Sequence, residues 1–109
     1  MSVGSTVSIT PSDRLREPNP HAHRNIVCYC IYTEDKPGLP ALVSGFFPGF
    51  TFIRGVGYWC GDCEQSALIE ILGTPFEHND VRILAALIKT TFNQQTVYVS
   101  RSTISMEEV

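Results

Sequence analysis

Apolar residues fall in four short segments whose composition is typical of β-strands. The segments at residues 25–33 (NIVCYCIYT), 50–59 (FTFIRGVGYW), 65–72 (QSALIEIL) and 96–101 (TVYVSR) are rich in β-branched and aromatic side chains. The first segment is apolar on both alternating faces, as in a central strand, and the last alternates polar with apolar residues. We therefore predict four strands.

Two further segments carry their apolar residues at helical spacing. Pro40 suits the first turn of one predicted helix, and Pro48-Gly49 ends it. Asn79 is a candidate cap for the other. The apolar faces are Leu39, Leu42, Val43 and Phe46 in the first helix, and Val81, Leu84, Ala85 and Ile88 in the second.

The resulting order, βαββαβ, predicts an α+β ferredoxin-like sandwich, with an antiparallel sheet and two helices on one face. The first and third strands are central in this arrangement. Residues 25–109 would form this domain. A chain of 109 residues is expected to contain one domain. Residues 1–24 contain Pro11, Pro18 and Pro20 without periodicity, and we interpret them as a flexible N-terminal arm.

Side chains alternate along a strand, so the third strand should serve both faces of the sheet. Ala67, Ile69 and Ile71 would face the helices. The other face would carry Ser66, Leu68, Glu70 and Leu72, with Tyr98 and Ser100 beside them. A face with two leucines and a tyrosine is too apolar to remain in water, and this predicts an oligomer.

Composition and charge exclude several classes of function. The net charge of −3 and the lack of any basic run argue against nucleic-acid binding. No apolar stretch is long enough to cross a membrane, and none at the N-terminus resembles a signal peptide. We therefore expect a cytoplasmic protein whose four cysteines are reduced.

The cysteines can be interpreted as a redox dithiol, as zinc ligands or as structural residues. Cys60-Gly61-Asp62-Cys63 resembles a thioredoxin dithiol, but the segment after it suits a strand better than the long helix that such a motif precedes. Cys28 and Cys30 point to one side of a strand, whereas structural zinc sites usually use C-x2-C knuckles. His21 and His23 could add ligands. Plain core residues and turn residues are the favoured interpretation, with no metal site and no cofactor.

Glu70 interrupts an apolar run in a central strand, where an unpaired carboxylate is costly. If the preceding turn centres on Asp62, Arg54 lies opposite Glu70 and neutralises it, and Tyr58 shares its face. Alternatively, the carboxylate serves a cationic ligand. Tyr58 and Trp59, next to two glycines, are either packing aromatics or a wall for a flat ring or a sulfonium ion.

Several of these residues together resemble the small bacteriophage S-adenosylmethionine lyases, long described as hydrolases. The similar elements are Phe50-Thr51, Gly55-x-Gly57-Tyr58-Trp59, Glu64-x-Ser66 with the run into Glu70, and the terminal residues 94–100. The resemblance covers the middle and end of the chain. The arm and the Cys60/Cys63 pair are not part of it.

The resemblance implies a homotrimer that holds S-adenosylmethionine between subunits and splits it into methylthioadenosine and homoserine lactone. In a phage-infected cell this would deplete the methyl donor of host restriction and modification systems in the host cytoplasm. By position, the catalytic tyrosine and glutamate correspond to Tyr58 and Glu70. The substrate-binding residues would be Gly55, Gly57, Trp59, Ser66 and Tyr98. The competing hypothesis is a non-catalytic, oligomeric ferredoxin-like module that binds a small ligand.

Overall fold

The computed structural model describes residues 23–109, which form a four-stranded antiparallel sheet and two helices. The strands are β1 (His23–Glu34), β2 (Thr51–Trp59), β3 (Asp62–Gly73) and β4 (Tyr98–Glu107). The helices are α1 (Leu39–Ser44) and α2 (His78–Thr91), the second preceded by a 3-10 turn at Pro75–Glu77. Within these residues, no helix combines the length and hydrophobicity that a membrane crossing needs.

The strand order across the sheet is β2-β3-β1-β4, and every neighbouring pair is antiparallel. With the chain order βαββαβ, this is the ferredoxin-like arrangement, and it confirms the predicted fold class. The first and third strands are central, as their apolar composition indicated. The predicted arm at residues 1–24 lies outside the described residues except for its last two, which already belong to β1.

The hydrophobic core lies between one face of the sheet and the two helices. Ala67, Ile69 and Ile71 of β3 are buried in it, as predicted from their alternation. Tyr29 and Ile31 of β1 lie beside them and are fully buried. The helices contribute Leu39, Val43, Val81, Leu84 and Ile88.

Element boundaries depart from the sequence predictions in the first helix, the last strand and the start of the second helix. The first helix ends at Ser44, well before Pro48-Gly49, so Phe46 lies outside it and is exposed rather than part of its apolar face. The last strand spans Tyr98–Glu107 rather than residues 96–101, because ladder pairing with β1 carries its polar end as far as Glu107. Asn79 does not cap the second helix. Thr74 and Glu77 form a capping box on the 3-10 turn, in which the Phe76 amide donates to the Thr74 hydroxyl at 3.2 Å, and α2 begins at His78.

The turn between β2 and β3 consists of Cys60 and Gly61, which both have positive φ angles of 51° and 86°. This is the pattern of a two-residue hairpin turn, so the prediction that the turn centres on Asp62 is wrong. The shorter turn changes the register: Thr51 lies opposite Glu70, and Arg54 lies opposite Ala67. Arg54 instead pairs with Asp35, at 2.8 Å from Nε to Oδ2. The interpretation in which Arg54 neutralises Glu70 is therefore wrong.

Candidate functional site

The β2–β3 hairpin extends past the end of β1 and carries its tip across the open face of the sheet. The register of β1 with β3 ends at Glu34 opposite Ser66, while β2 and β3 continue to pair as far as Trp59 and Asp62. Trp59 of one edge strand stacks on Tyr98 of the other, with ring centroids 6.4 Å apart. The two edges of the sheet are thereby joined over a recess.

This recess is a cavity of about 450 Å³, called here the Trp59 cavity. Its lining includes all five residues predicted to bind substrate: Gly55, Gly57, Trp59, Ser66 and Tyr98. Their positions in the sequence span more than forty residues, and the antiparallel pairing with the curled hairpin brings them together. Tyr32, Ile53 and Leu68 add apolar surface to the same walls.

Gly57 is needed where the cavity wall is tightest. A Cβ at this position would collide with the Ser66 hydroxyl and lie 3.0 Å from Nε1 of Trp59. The Ser66 hydroxyl in turn donates to a carboxylate oxygen of Glu64 at 3.3 Å. Glu64, interpreted from the sequence as a solvated hairpin residue, is half-buried and lines the cavity.

Gln94 closes the end of the cavity next to β1. Its Oε1 accepts hydrogen bonds from the Thr33 hydroxyl at 2.7 Å and from the Glu34 amide at 3.0 Å. The side chain is buried, and its Nε2 has no hydrogen-bond partner among the described residues. In the sequence, Gln94 belongs only to the terminal motif at residues 94–100, because a lone Gln before a strand gives no signal of burial.

The charged side chains that line the cavity are all acidic. Glu34 and Glu64 contribute carboxylates, and Lys36, at 3.0 Å from the Glu34 carboxylate, is outside the lining. Among the described residues that line the cavity, none is Lys, Arg or His. Because Lys36 offsets the charge of Glu34, the negative charge of the lining comes mainly from Glu64, and aromatic faces beside this carboxylate suit a cationic ligand better than a phosphate.

The two residues predicted to be catalytic do not lie together. Tyr58 pairs with Cys63, whose position in the alternation is that of Ala67 and Ile69, so its side chain is on the opposite face from Glu70. Tyr58 is 72% exposed. The expectation that Tyr58 and Glu70 share a face is wrong, because it rested on the misplaced turn.

Glu70 lies on the same face as the Trp59 cavity, two residues beyond Leu68 and thus about 7 Å along β3. Its cross-strand neighbours are Thr51 and Cys30. Cys28 donates a hydrogen bond from Sγ to Glu70 Oε2 at 3.6 Å. Burial, with Cys30 and Glu70 close by, raises the pKa of the Cys28 thiol to about 12.

The second cysteine pair has a different environment. Cys60 lies in the hairpin turn and Cys63 in β3, and both are exposed. A strand, rather than a long helix, follows the turn, so the structural context of a thioredoxin dithiol is missing from this part of the chain.

Comparisons with known proteins give a structural likeness. No protein-family model matches the chain, and no curated protein matches it either. A solved structure does: CPII, a nitrogen regulatory PII-like protein from Thiomonas intermedia K12, bound to ADP, AMP and bicarbonate. The TM-score is 0.56 at 14% sequence identity, over 81% of this chain and 99% of CPII. At this identity the likeness concerns the fold, and the chain shares its ferredoxin-like architecture with a PII-like protein.

Proposed function

We propose that this chain is an S-adenosylmethionine lyase that binds the adenosyl and sulfonium part of its substrate in the Trp59 cavity. The observation that carries the proposal is the composition of that cavity. Aromatic rings and carboxylates line it, and its described residues include no cation. A sulfonium ion is attracted to such surroundings, whereas a nucleotide phosphate needs cationic side chains or free backbone amides.

Each part of the cavity has a group that suits adenosine. The Trp59–Tyr98 pair offers a flat apolar wall for adenine. Gln94 lines the cavity, and a turn of its side-chain amide would bring the buried, unpaired Nε2 to a ring nitrogen as a donor. The Glu64 carboxylate lines the cavity and would accept hydrogen bonds from ribose hydroxyls.

Glu70 is the partner proposed for the substrate's ammonium group. With adenosine in the cavity, a methionyl arm directed along β3 reaches Glu70, since the spacing from Leu68 is about 7 Å. Tyr58 points away from this face, and in the proposal it contributes to a site only through a neighbouring subunit.

The reaction needs positioning more than acid or base groups. The substrate's own carboxylate attacks its γ-carbon, the new O–Cγ bond forms as the Cγ–S bond breaks, and the bonding pair leaves with sulfur as neutral methylthioadenosine. Because a carboxylate and a sulfonium disappear together, a water-poor site favours the transition state over the charged ground state. Holding the ammonium fixes the folded substrate in line for attack.

A second subunit would exclude water from the site. Ile53, Tyr58, Trp59 and Tyr98 are all more than half exposed in the single chain. All but Tyr58 border the open face or the cavity at its end. We propose that a homotrimer covers this face and completes the site.

The test is to incubate the purified protein with S-adenosylmethionine and to separate the products by chromatography. Methylthioadenosine and homoserine lactone in equal amounts support the lyase. Homoserine without any lactone at early times would indicate attack by water and contradict the proposed mechanism. No product from a protein that binds the substrate would refute the lyase and leave the binding site.

A non-catalytic ligand-binding module is the second candidate. The exposure of Tyr58 on the opposite face favours it, because the single chain then offers only one of the two expected catalytic groups. CPII, which shares the fold, is a regulatory protein with bound ADP and AMP. Calorimetric titration with ADP separates the candidates: the module predicts tight ADP binding, whereas the anionic Trp59 cavity predicts that S-adenosylmethionine binds far more tightly than ADP.

A further inference from the structure

The central strands place three metal-ligating side chains together on the open face of the sheet. Cys28 and Cys30 of β1 lie with Glu70 of β3, and one ligand atom from each lies within 4.8 Å of the other two. We infer that Cys28, Cys30 and Glu70 form a binding site for one thiophilic divalent metal ion, of which Zn²⁺ is the representative. This site is separate from the Trp59 cavity, whose lining contains none of the three.

The distances match those of a tetrahedral centre. Zinc at about 2.3 Å from sulfur and about 2.0 Å from oxygen places two sulfurs about 3.8 Å apart, and a sulfur about 3.5 Å from an oxygen. The two Sγ atoms here are 4.0 Å apart, and Cys28 Sγ is 3.6 Å from Glu70 Oε2. These two distances need to shorten by only a few tenths of an ångström, and the third, from Cys30 Sγ to the Glu70 carboxylate, lies within 4.8 Å.

The strands, rather than a loop, fix this geometry. Cys28 and Cys30 are two residues apart, so they point to the same face, and Cys30 lies directly opposite Glu70 in the ladder. The two cysteines of a C-x-C sequence do not by themselves form the knuckle that a C-x2-C sequence forms around zinc. The cross-strand carboxylate supplies the third ligand, which sequence spacing could not reveal.

The donor set selects the class of metal. Two thiolates favour zinc and other soft or borderline ions over Mg²⁺ and Ca²⁺, which prefer oxygen ligands. Three protein ligands leave a fourth tetrahedral position for water or for a group from outside the described residues.

This inference does not depend on the proposed lyase, but the two share Glu70. A carboxylate that is bound to a metal is not free to hold an ammonium group. If both hold, Zn²⁺ inhibits the reaction in competition with S-adenosylmethionine. If only the metal site holds, metal binding remains in a protein that has no turnover.

The experiment is a titration of the full chain with Zn²⁺ against a chromophoric chelator, in a phosphine reductant that keeps the thiols free. Co²⁺ serves as a second probe, since thiolate ligands give a charge-transfer band and tetrahedral geometry gives intense visible bands. The variants are Cys28→Ser, Cys30→Ser and Glu70→Gln. The matched control is the Cys60→Ser/Cys63→Ser double variant, which removes the other two cysteines of the chain.

We expect one equivalent of zinc and thiolate–cobalt bands in the wild type and in the Cys60→Ser/Cys63→Ser control. Zinc affinity should fall at least tenfold in Glu70→Gln and at least a hundredfold in Cys30→Ser. Cys30 is half-buried, so its Ser variant should remain folded by circular dichroism even if Cys28→Ser does not. Unchanged affinity in folded Cys30→Ser, loss of the bands in the control, or binding of Mg²⁺ with similar affinity would overturn the inference.

Discussion

The two faces of β3 differ although their residues alternate along one strand. Ala67, Ile69 and Ile71 point to the helices and are almost fully buried. Leu68 and Glu70, from the same stretch, point to the open face and are half-buried. One face is completed by the chain itself, and the other carries the Trp59 cavity and the cluster of Cys28, Cys30 and Glu70.

Along β3, residues that stabilise the fold therefore alternate with residues that face the candidate sites. Adjacent substitutions should therefore have unlike consequences, one on unfolding and the other on ligand, metal or subunit binding. A change on one face can be compared with a control on the other, and a close contact with an open position.

The largest effect is expected for Ile69→Ala. Its side chain is fully buried in the core, and truncation leaves a cavity, so the free energy of unfolding should fall by about 2–5 kcal/mol. Leu68→Ala, one residue away, should cost about 1 kcal/mol in the monomer and should weaken subunit association instead. Urea unfolding and light scattering measure the two quantities. Equal destabilisation by both variants would contradict the division between the faces.

Under the proposed lyase function, Glu70→Gln should lower turnover strongly. It keeps the side-chain volume and removes the charge proposed to hold the substrate's ammonium, at a cost of roughly one to two powers of ten in substrate binding alone. Methylthioadenosine formation provides the measurement. Arg54→Ala is the control, since Arg54 pairs with Asp35 at the surface and such pairs contribute less than about 1 kcal/mol. Near-normal turnover in Glu70→Gln would refute the assignment.

Gly57→Ala should disturb the Trp59 cavity before any ligand is added. The new methyl group would displace the Ser66 hydroxyl and the Trp59 indole, so near-UV circular dichroism should change and affinity should fall about tenfold. Gly55→Ala places its methyl group where no atom lies within 4 Å. The unliganded spectrum should then stay as in the wild type, and ligand affinity should fall only where the ligand approaches Gly55. Identical spectra for the two variants would contradict this account.

The smallest effect is expected at the hairpin tip. Replacing Cys60 and Cys63 by Ser should leave turnover and melting temperature close to the wild-type values, because both side chains are exposed and lie outside the Trp59 cavity lining. Enzyme assay and thermal melting check this. A loss of activity in the folded variant would show that these thiols have a role that the present site does not include.

The fold could be predicted from the sequence because the apolar spacing changes clearly between strand and helix. The face of the sheet on which each β2 side chain lies could not be predicted. It depends on whether the turn has two residues, and the positive φ of Cys60 is not a property that this residue type signals. That single ambiguity placed Tyr58 and Arg54 on the wrong face.

The candidate site was predictable only in part. Residues near the hairpin, such as Gly57 and Trp59, were recognisable as a local motif. Gln94 and the neighbourhood of Cys30 with Glu70 depend on contacts between distant parts of the chain, and neither hydrophobic spacing nor cysteine spacing reports these.

The stack of Trp59 on Tyr98 gives the molecule an optical reporter at its own binding cavity. The chain contains a single tryptophan, so its intrinsic emission arises from one indole whose surroundings are known. Any molecule that enters between the hairpin and the sheet changes the polarity at that ring. Emission wavelength and quenching by iodide can therefore follow occupancy and kinetics in real time, without a label and without a substitution.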